Sequence, residues 1–104
     1  MYQENQFLRN LVDKFMKVQF DESFYESIKK INDRKLKNKL QEIILDFDNA
    51  ENLSEIPNIK KMQGFENYYR VRIGDYRVGF ELLNDKSLLF LLVAHRKEIY
   101  RYFP

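Results

Sequence analysis

From Tyr69 to Leu82 apolar and polar residues alternate on both sides of a Gly74-Asp75 dipeptide. That period of two, broken only by a two-residue turn signal, predicts an antiparallel β-hairpin. Tyr69, Val71 and Ile73 lead in; Tyr76, Val78, Phe80 and Leu82 lead out. Glycine in the first central position suits a type II′ turn, whose twist matches that of the strands it joins. A two-residue turn also fixes the register. Ile73 then lies opposite Tyr76, Arg72 opposite Arg77, Val71 opposite Val78, and Arg70 opposite Gly79. The apolar set belongs to a core-facing side. The other side presents Arg70, Arg72 and Arg77, with Gly79 leaving room beside Arg70.

The flanking segments supply the remaining elements. Asn84-Asp85-Lys86 is the next turn, and Leu88–Ala94 is a nearly continuous apolar run that suits a central strand covered on both faces. Upstream, Met16–Phe20 alternates as a half-buried strand does, and Asp21 follows as a helix N-cap. Phe24, Tyr25, Ile28 and Ile31 mark one face of a first helix. Asn32-Asp33 interrupts it and caps a second, whose stripe of Leu36, Leu40, Ile43, Ile44 and Phe47 runs out near Leu53. Arg34, Lys35, Lys37, Lys39 and Glu42 occupy the opposite side, a charged face that is ordinarily just solvated, with RNA contact as the alternative. Pro57 closes the helical part, because Ile56 before it is biased away from helical angles. Strand, helix, helix and three antiparallel strands predict an α+β fold, a small sheet with two helices packed on one face. Phe7, Leu8, Leu11, Val12 and Phe15 recur at helical spacing, so residues 1–15 read as a helical extension to a domain at 16–104.

Composition narrows the chemistry. A chain of 104 residues is expected to form one domain. The absence of cysteine excludes disulfides, thiolate zinc sites and cysteine nucleophiles. A single histidine leaves a metal site to carboxylates, and no metal or other cofactor is expected. The longest apolar run is too short for a membrane span, and the polar start is unlike a secretory leader, so a cytoplasmic protein with no membrane partner is expected. Net charge is +2, unevenly divided: nine Lys/Arg face eleven Asp/Glu in residues 1–55, and nine face five in residues 56–104. The C-terminal half is therefore the half suited to a polyanion.

Like charges opposite one another on two strands cost a few tenths of a kcal/mol to about 1 kcal/mol. A sequence selected only for stability would place Glu or Thr opposite Arg72. An anionic ligand relieves the Arg72–Arg77 repulsion, and arginine suits bidentate phosphate contact. Neutralisation by Glu81 or the C-terminal carboxylate is the structural alternative. Downstream, His95 is the natural proton shuttle, with Arg96 and Tyr100 close behind it. A helical turn over Ile99–Phe103 would put Ile99 and Phe103 on the core side and project Tyr100 elsewhere. A base, a cation and a phenol near an arginine-studded sheet face make an RNA-cleaving site without metal, and tyrosines can stack on bases.

The stretches Tyr69-Arg-Val-Arg-Ile-Gly-Asp-Tyr-Arg-Val78 and His95-Arg-Lys-Glu-Ile-Tyr100, led in by Lys60-Lys61-Met62-Gln63-Gly64-Phe65, resemble the RelE/ParE superfamily of toxins from bacterial and archaeal toxin–antitoxin pairs. The resemblance runs from Met16 to Phe103. The RelE branch cleaves messenger RNA in the ribosomal A site, whereas the ParE branch poisons gyrase. RelE-type members carry basic residues at the positions of Arg70 and Arg72, arginines at Arg77 and Arg96, and a tyrosine at Tyr100, which tilts the resemblance to the nuclease. Some relatives have lysine at the positions of Arg70 and Arg72; arginine does not readily release a proton, so the base would be His95 or Tyr100. The resemblance thus implies a metal-independent endoribonuclease acting on mRNA at the ribosome, held in check by a cognate antitoxin. Arg77, His95, Arg96 and Tyr100 are its expected catalytic residues, and Arg70, Arg72, Lys60 and Lys61 its expected phosphate contacts. A gyrase-inhibiting toxin without nuclease chemistry, or an inactive binding module, are the alternatives.

Overall fold

Asp21 ends the first strand and starts the first helix, its carboxylate accepting a hydrogen bond from the Ser23 backbone N–H at 3.0 Å. This hinge opens the computed structural model, which describes residues 15–84 and 86–104. Strand β1 (Lys17–Phe20) leads into helix α1 (Glu22–Lys29) and helix α2 (Arg34–Asp48), the latter capped by Asp33. A 3-10 turn (Leu53–Glu55) follows, then β2 (Ile59–Lys61), β3 (Tyr68–Ile73), β4 (Tyr76–Asn84), β5 (Ser87–His95) and a short helix α3 (Ile99–Tyr102). The predicted extension lies outside the described residues apart from its last residue, the exposed Phe15.

The five strands form one sheet in the order β1-β5-β4-β3-β2. β1 runs parallel to β5, with Phe20 beside Phe90, and the other pairs are antiparallel. The chain between this parallel pair runs through both helices to the far edge of the sheet and returns along β2, β3 and β4. The hairpin register is the predicted one at all four positions. Gly74 has φ 59°, and Asn58 is the one non-glycine at positive φ among the described residues, so Asp75 keeps the negative φ of a II′ turn. The α+β architecture is as expected, with one strand more: Ile59–Lys61 pairs with β3. Three residues after a proline are too few to display alternation.

The main core lies between the sheet and α1–α2, where Phe24, Phe47, Phe80 and Phe90 are fully buried. Phe47 meets Phe80 and Phe90 edge-on at 5.4 and 5.3 Å between ring centroids. Each such ring is worth roughly 1.5–3 kcal/mol of burial. The face of α1 differs from the expected one: Tyr25 is half-exposed and Ser27 is buried. Ser27 Oγ donates to the Phe24 carbonyl at 2.7 Å and accepts the Val93 N–H at 3.0 Å, satisfying the β5 edge beyond the end of β1.

β5 explains its own apolar run. The register slips between Gly79 and Phe80, which face Leu92 and Phe90, so Leu91 is the extra residue of a β-bulge. Leu88, Phe90 and Val93 enter the main core. Leu91, Leu92 and Ala94 instead pack with Met62, Ile99 and Phe103 in a second cluster on the other face, under α3.

Candidate nucleic-acid interface

The second face of the sheet carries the charged residues. Arg72 stands opposite Arg77, and Arg70 opposite Gly79. Among the described residues no carboxylate lies within ion-pairing distance of Arg70, Arg72 or Arg77, so Glu81 does not neutralise them. Each arginine is steadied by a neutral group. Arg77 Nη1 donates to the carbonyls of Gly74 and Tyr76, both at 2.9 Å. Arg72 Nη2 donates to Asn58 Oδ1 at 3.2 Å, and its backbone N–H donates to the Asn58 carbonyl at 3.1 Å. The Arg70 guanidinium lies 5.8 Å from the centroid of the Tyr100 ring, a cation–π contact. Burial lowers the pKa of Arg77 from its ordinary value, and the Arg70, Arg72 and Arg96 charges lower it further while Tyr100 partly offsets them. Among the described residues these three arginines hold their positive charge without a counter-ion.

α3 seats the phenol. Ile99 and Phe103 are buried and Tyr100 is 60% exposed, the division that a helical turn predicts. The space that Gly79 leaves beside Arg70 is not open, as the sequence suggested, but filled: a Cβ at Gly79 would come within 2.6 Å of the Phe103 ring. Arg96 is tied to the hairpin turn, its N–H donating to the Asp75 carbonyl at 2.7 Å and its Nε standing 4.0 Å from the Asp75 carboxylate.

One predicted residue, His95, is not brought to this face. His95 pairs in register with Tyr76, whose ring packs against the main core, and meets it edge-on at 5.5 Å. Its Nδ1 accepts the Lys97 N–H at 3.2 Å. The alternation that points Arg77 and Ala94 toward one side points Tyr76 and His95 toward the other. The same rule divides the lysines. Lys60 pairs with Arg70 and joins the arginine face, whereas Lys61 pairs with Tyr69, which stacks on Phe80 in the main core, and contributes to the site as part of the wall of the cleft beside Arg70.

Two residues of the face escape sequence reasoning. Asn58 holds Arg72 from a left-handed backbone conformation, φ 65°, which asparagine tolerates better than most residues. A Pro57-Asn58 dipeptide signals a turn but not the partner of its amide. Phe65 is half-exposed and joins Lys60, Gln63, Arg70, Tyr100 and Phe103 around a cleft of about 390 Å³. An aromatic ring and a phenol across a basic cleft provide stacking surfaces beside phosphate contacts.

Residues 18–100 match the model of the ParE toxin family of type II toxin–antitoxin systems. The chain is 39% identical over 90 residues to the toxin RelE3 of Methanocaldococcus jannaschii, covering 86% of this chain and all of that toxin. The toxin–antitoxin complex RelB–RelE from Methanococcus jannaschii superposes with a TM-score of 0.67 at 36% identity, covering 83% of this chain and 99% of the matched one. The free Escherichia coli toxin RelE, in a mutant form, shares the fold at a TM-score of 0.61 and 15% identity, with coverages of 85% and 92%. With hairpin, arginine face and C-terminal tyrosine in the arrangement described, the chain belongs to the RelE/ParE superfamily of toxins of type II toxin–antitoxin systems, on its RelE-like branch.

Proposed function

We propose that this toxin is a metal-independent endoribonuclease that cuts mRNA on the ribosome. The observation that carries the reading is the row of Arg70, Arg72 and Arg77 on one sheet face, unpaired by any described carboxylate and flanked by the Tyr100 phenol. In the reaction the RNA's own 2′-oxygen attacks the adjacent phosphorus and the P–O5′ bond breaks. The products are a 2′,3′-cyclic phosphate and a 5′-hydroxyl. Arg72 and Arg77 hold the phosphate and stabilise the charge that develops on its free oxygens. Arg70 and Lys60 guide the strand, and Tyr100 and Phe65 offer surfaces for unstacked bases. Tyr100, as the phenolate, accepts the 2′-hydroxyl proton, since His95 faces away, and Arg96 stabilises the departing 5′-oxygen, which takes its proton from solvent. A protein of 104 residues offers little surface for reading sequence, so the ribosome supplies placement of the strand. A cognate antitoxin is the cellular partner, as the RelB–RelE complexes of the relatives suggest.

Gyrase inhibition is the competing reading, because the matching family model is that of ParE toxins. Primer extension on a translated mRNA with purified protein separates the two. Ribosome-dependent cuts that vanish in Arg77→Ala support the nuclease. Intact mRNA together with blocked DNA supercoiling supports gyrase inhibition.

A further inference from the structure

Helix α2 carries its charges the wrong way round. A helix is stabilised by acids near its N-terminus and bases near its C-terminus, because the peptide dipoles leave partial positive charge at the first and partial negative charge at the second. Here Arg34, Lys35 and Lys37 occupy the start, with no acid in the first turn, and Asp46 and Asp48 close the end, with no base in the last turn. Lys35 and Lys39 also stand one helical turn apart, where like charges repel. Helix stability alone does not select this arrangement.

The reversed charges build a basic corner where α1 meets α2. Lys29, Lys30, Arg34, Lys35, Lys37 and Lys39 fall within eleven residues, and all six are exposed. Lys29 pairs with Glu26 at 3.2 Å. The side chains of the other five have no ion pair or hydrogen bond among the described residues. Asp33, the one acid within this stretch of sequence, is committed to the helix cap, accepting the Leu36 N–H at 3.1 Å. No large apolar side chain is exposed between residues 26 and 44, and the exposed Tyr25 and Leu45 stand outside the run of lysines, so Arg34, Lys35, Lys37 and Lys39 have none of the apolar anchors that a protein interface buries interleaved among them. Lysines without such anchors act as point charges, which suits a phosphate backbone rather than an acidic protein. The corner also lies on the helical layer, across the sheet from Arg70, Arg72 and Arg77. One short strand of RNA cannot lie on both.

We propose that this corner is a second RNA contact, which grips the phosphate backbone of structured RNA without reading its sequence while the arginine face handles the strand to be cut. For its purpose the proposal rests on the ribonuclease reading, since ribosomal RNA is then the duplex-rich partner at hand. The charge argument itself does not need that reading.

The test uses the full-length protein and a Lys35→Gln/Lys37→Gln/Lys39→Gln variant, which removes charges that oppose the dipole and so should melt no lower than the parent. Binding to purified ribosomes and to a plain RNA duplex is measured across a salt series, beside single-turnover mRNA cleavage. The expected result is a loss of about tenfold or more in affinity for both, with a log–log salt slope shallower by roughly two to three. Cleavage at saturating ribosomes should be unchanged, whereas Arg77→Ala should lose cleavage and keep most of the slope. A triple variant that binds with the parent's affinity and slope makes the corner a solvated face and overturns the proposal. A variant that keeps RNA binding but loses an acidic antitoxin overturns it in favour of a protein partner. A parent that cuts no mRNA sinks the ribonuclease reading alone, and the duplex-binding measurement still decides the corner.

Discussion

A methyl group on Gly79 would lie within 2.6 Å of the Phe103 ring. The contact explains why a glycine interrupts β4 opposite Arg70: the ring of the C-terminal helix lies where a side chain would project. With Ile99 and Met62, Phe103 fastens α3 to the sheet, and α3 carries Tyr100 over Arg70. The placement of Tyr100 over Arg70 therefore depends on a packing contact beneath it.

Gly79→Ala should consequently release α3 rather than merely crowd it. Overpacking of this kind costs about 1–3 kcal/mol. The expected outcome is a lower melting temperature together with a fall in cleavage rate, because the phenol loses its seat. Phe103→Ala should lose the same seat by removing the ring. A Gly79→Ala protein as stable and as active as the parent would mean that α3 does not fasten Tyr100.

Much of this is legible in the amino-acid sequence. The hairpin register, and with it the Arg72–Arg77 pair, followed from a two-residue turn and strict alternation, both local properties of the chain. The buried Ile99 and Phe103 followed from helical spacing. The side that His95 takes does not follow, because its chemistry names a proton shuttle whereas only strand register decides its face. Its neighbours Arg96 and Tyr100 drew it toward the arginine face, whereas pairing with Tyr76 assigns it to the other side. The bulge at Leu91 and the strand at Ile59–Lys61 stayed hidden for a different reason: each is fixed by a partner strand distant in sequence. The reach of Asn58 to Arg72 is of the same kind.

The histidine supplies a prediction with opposed outcomes. Removing a general base lowers a rate by roughly two to four orders of magnitude. Tyr100→Phe should show a loss of that size in single-turnover cleavage, whereas His95→Gln should stay within about threefold of the parent. The reverse ranking would return the proton transfer to His95 and require β5 to rearrange on the ribosome.

Acid should weaken the start of α1. The Ser23 hydroxyl, and then its backbone N–H, donate to the Asp21 carboxylate and hold its pKa below the ordinary 3.8. The folded state thus favours the charged form. The stabilisation is present above the ordinary value and is lost as pH falls through the lowered folded one. In thermal melts recorded from pH 6 down to pH 2, Asp21→Asn should be less stable at the upper end and converge on the parent only as pH falls below the ordinary 3.8 and through the lowered folded value. A constant gap across the series would show that the carboxylate's charge contributes nothing to the cap.

Asn58 offers the sharpest separation of position from presence. Glycine at residue 58 keeps the left-handed backbone and the carbonyl that binds the Arg72 N–H, and removes only the amide that holds the Arg72 guanidinium. Asn58→Gly should therefore melt close to the parent. Its cleavage should fall by about threefold to tenfold, the size of loss expected when one ordinary solvent-exposed hydrogen bond is given up. Asn58→Asp retains an acceptor but adds a carboxylate beside Arg72, and it should weaken mRNA binding further by competing with the phosphate. Arg72→Ala sets the floor, since it removes the charge itself. In an Arg72→Ala background, Asn58→Gly should change the cleavage rate no further, because the amide then has nothing to hold. Additive losses in that double variant would mean that Asn58 acts on the RNA directly and not through Arg72.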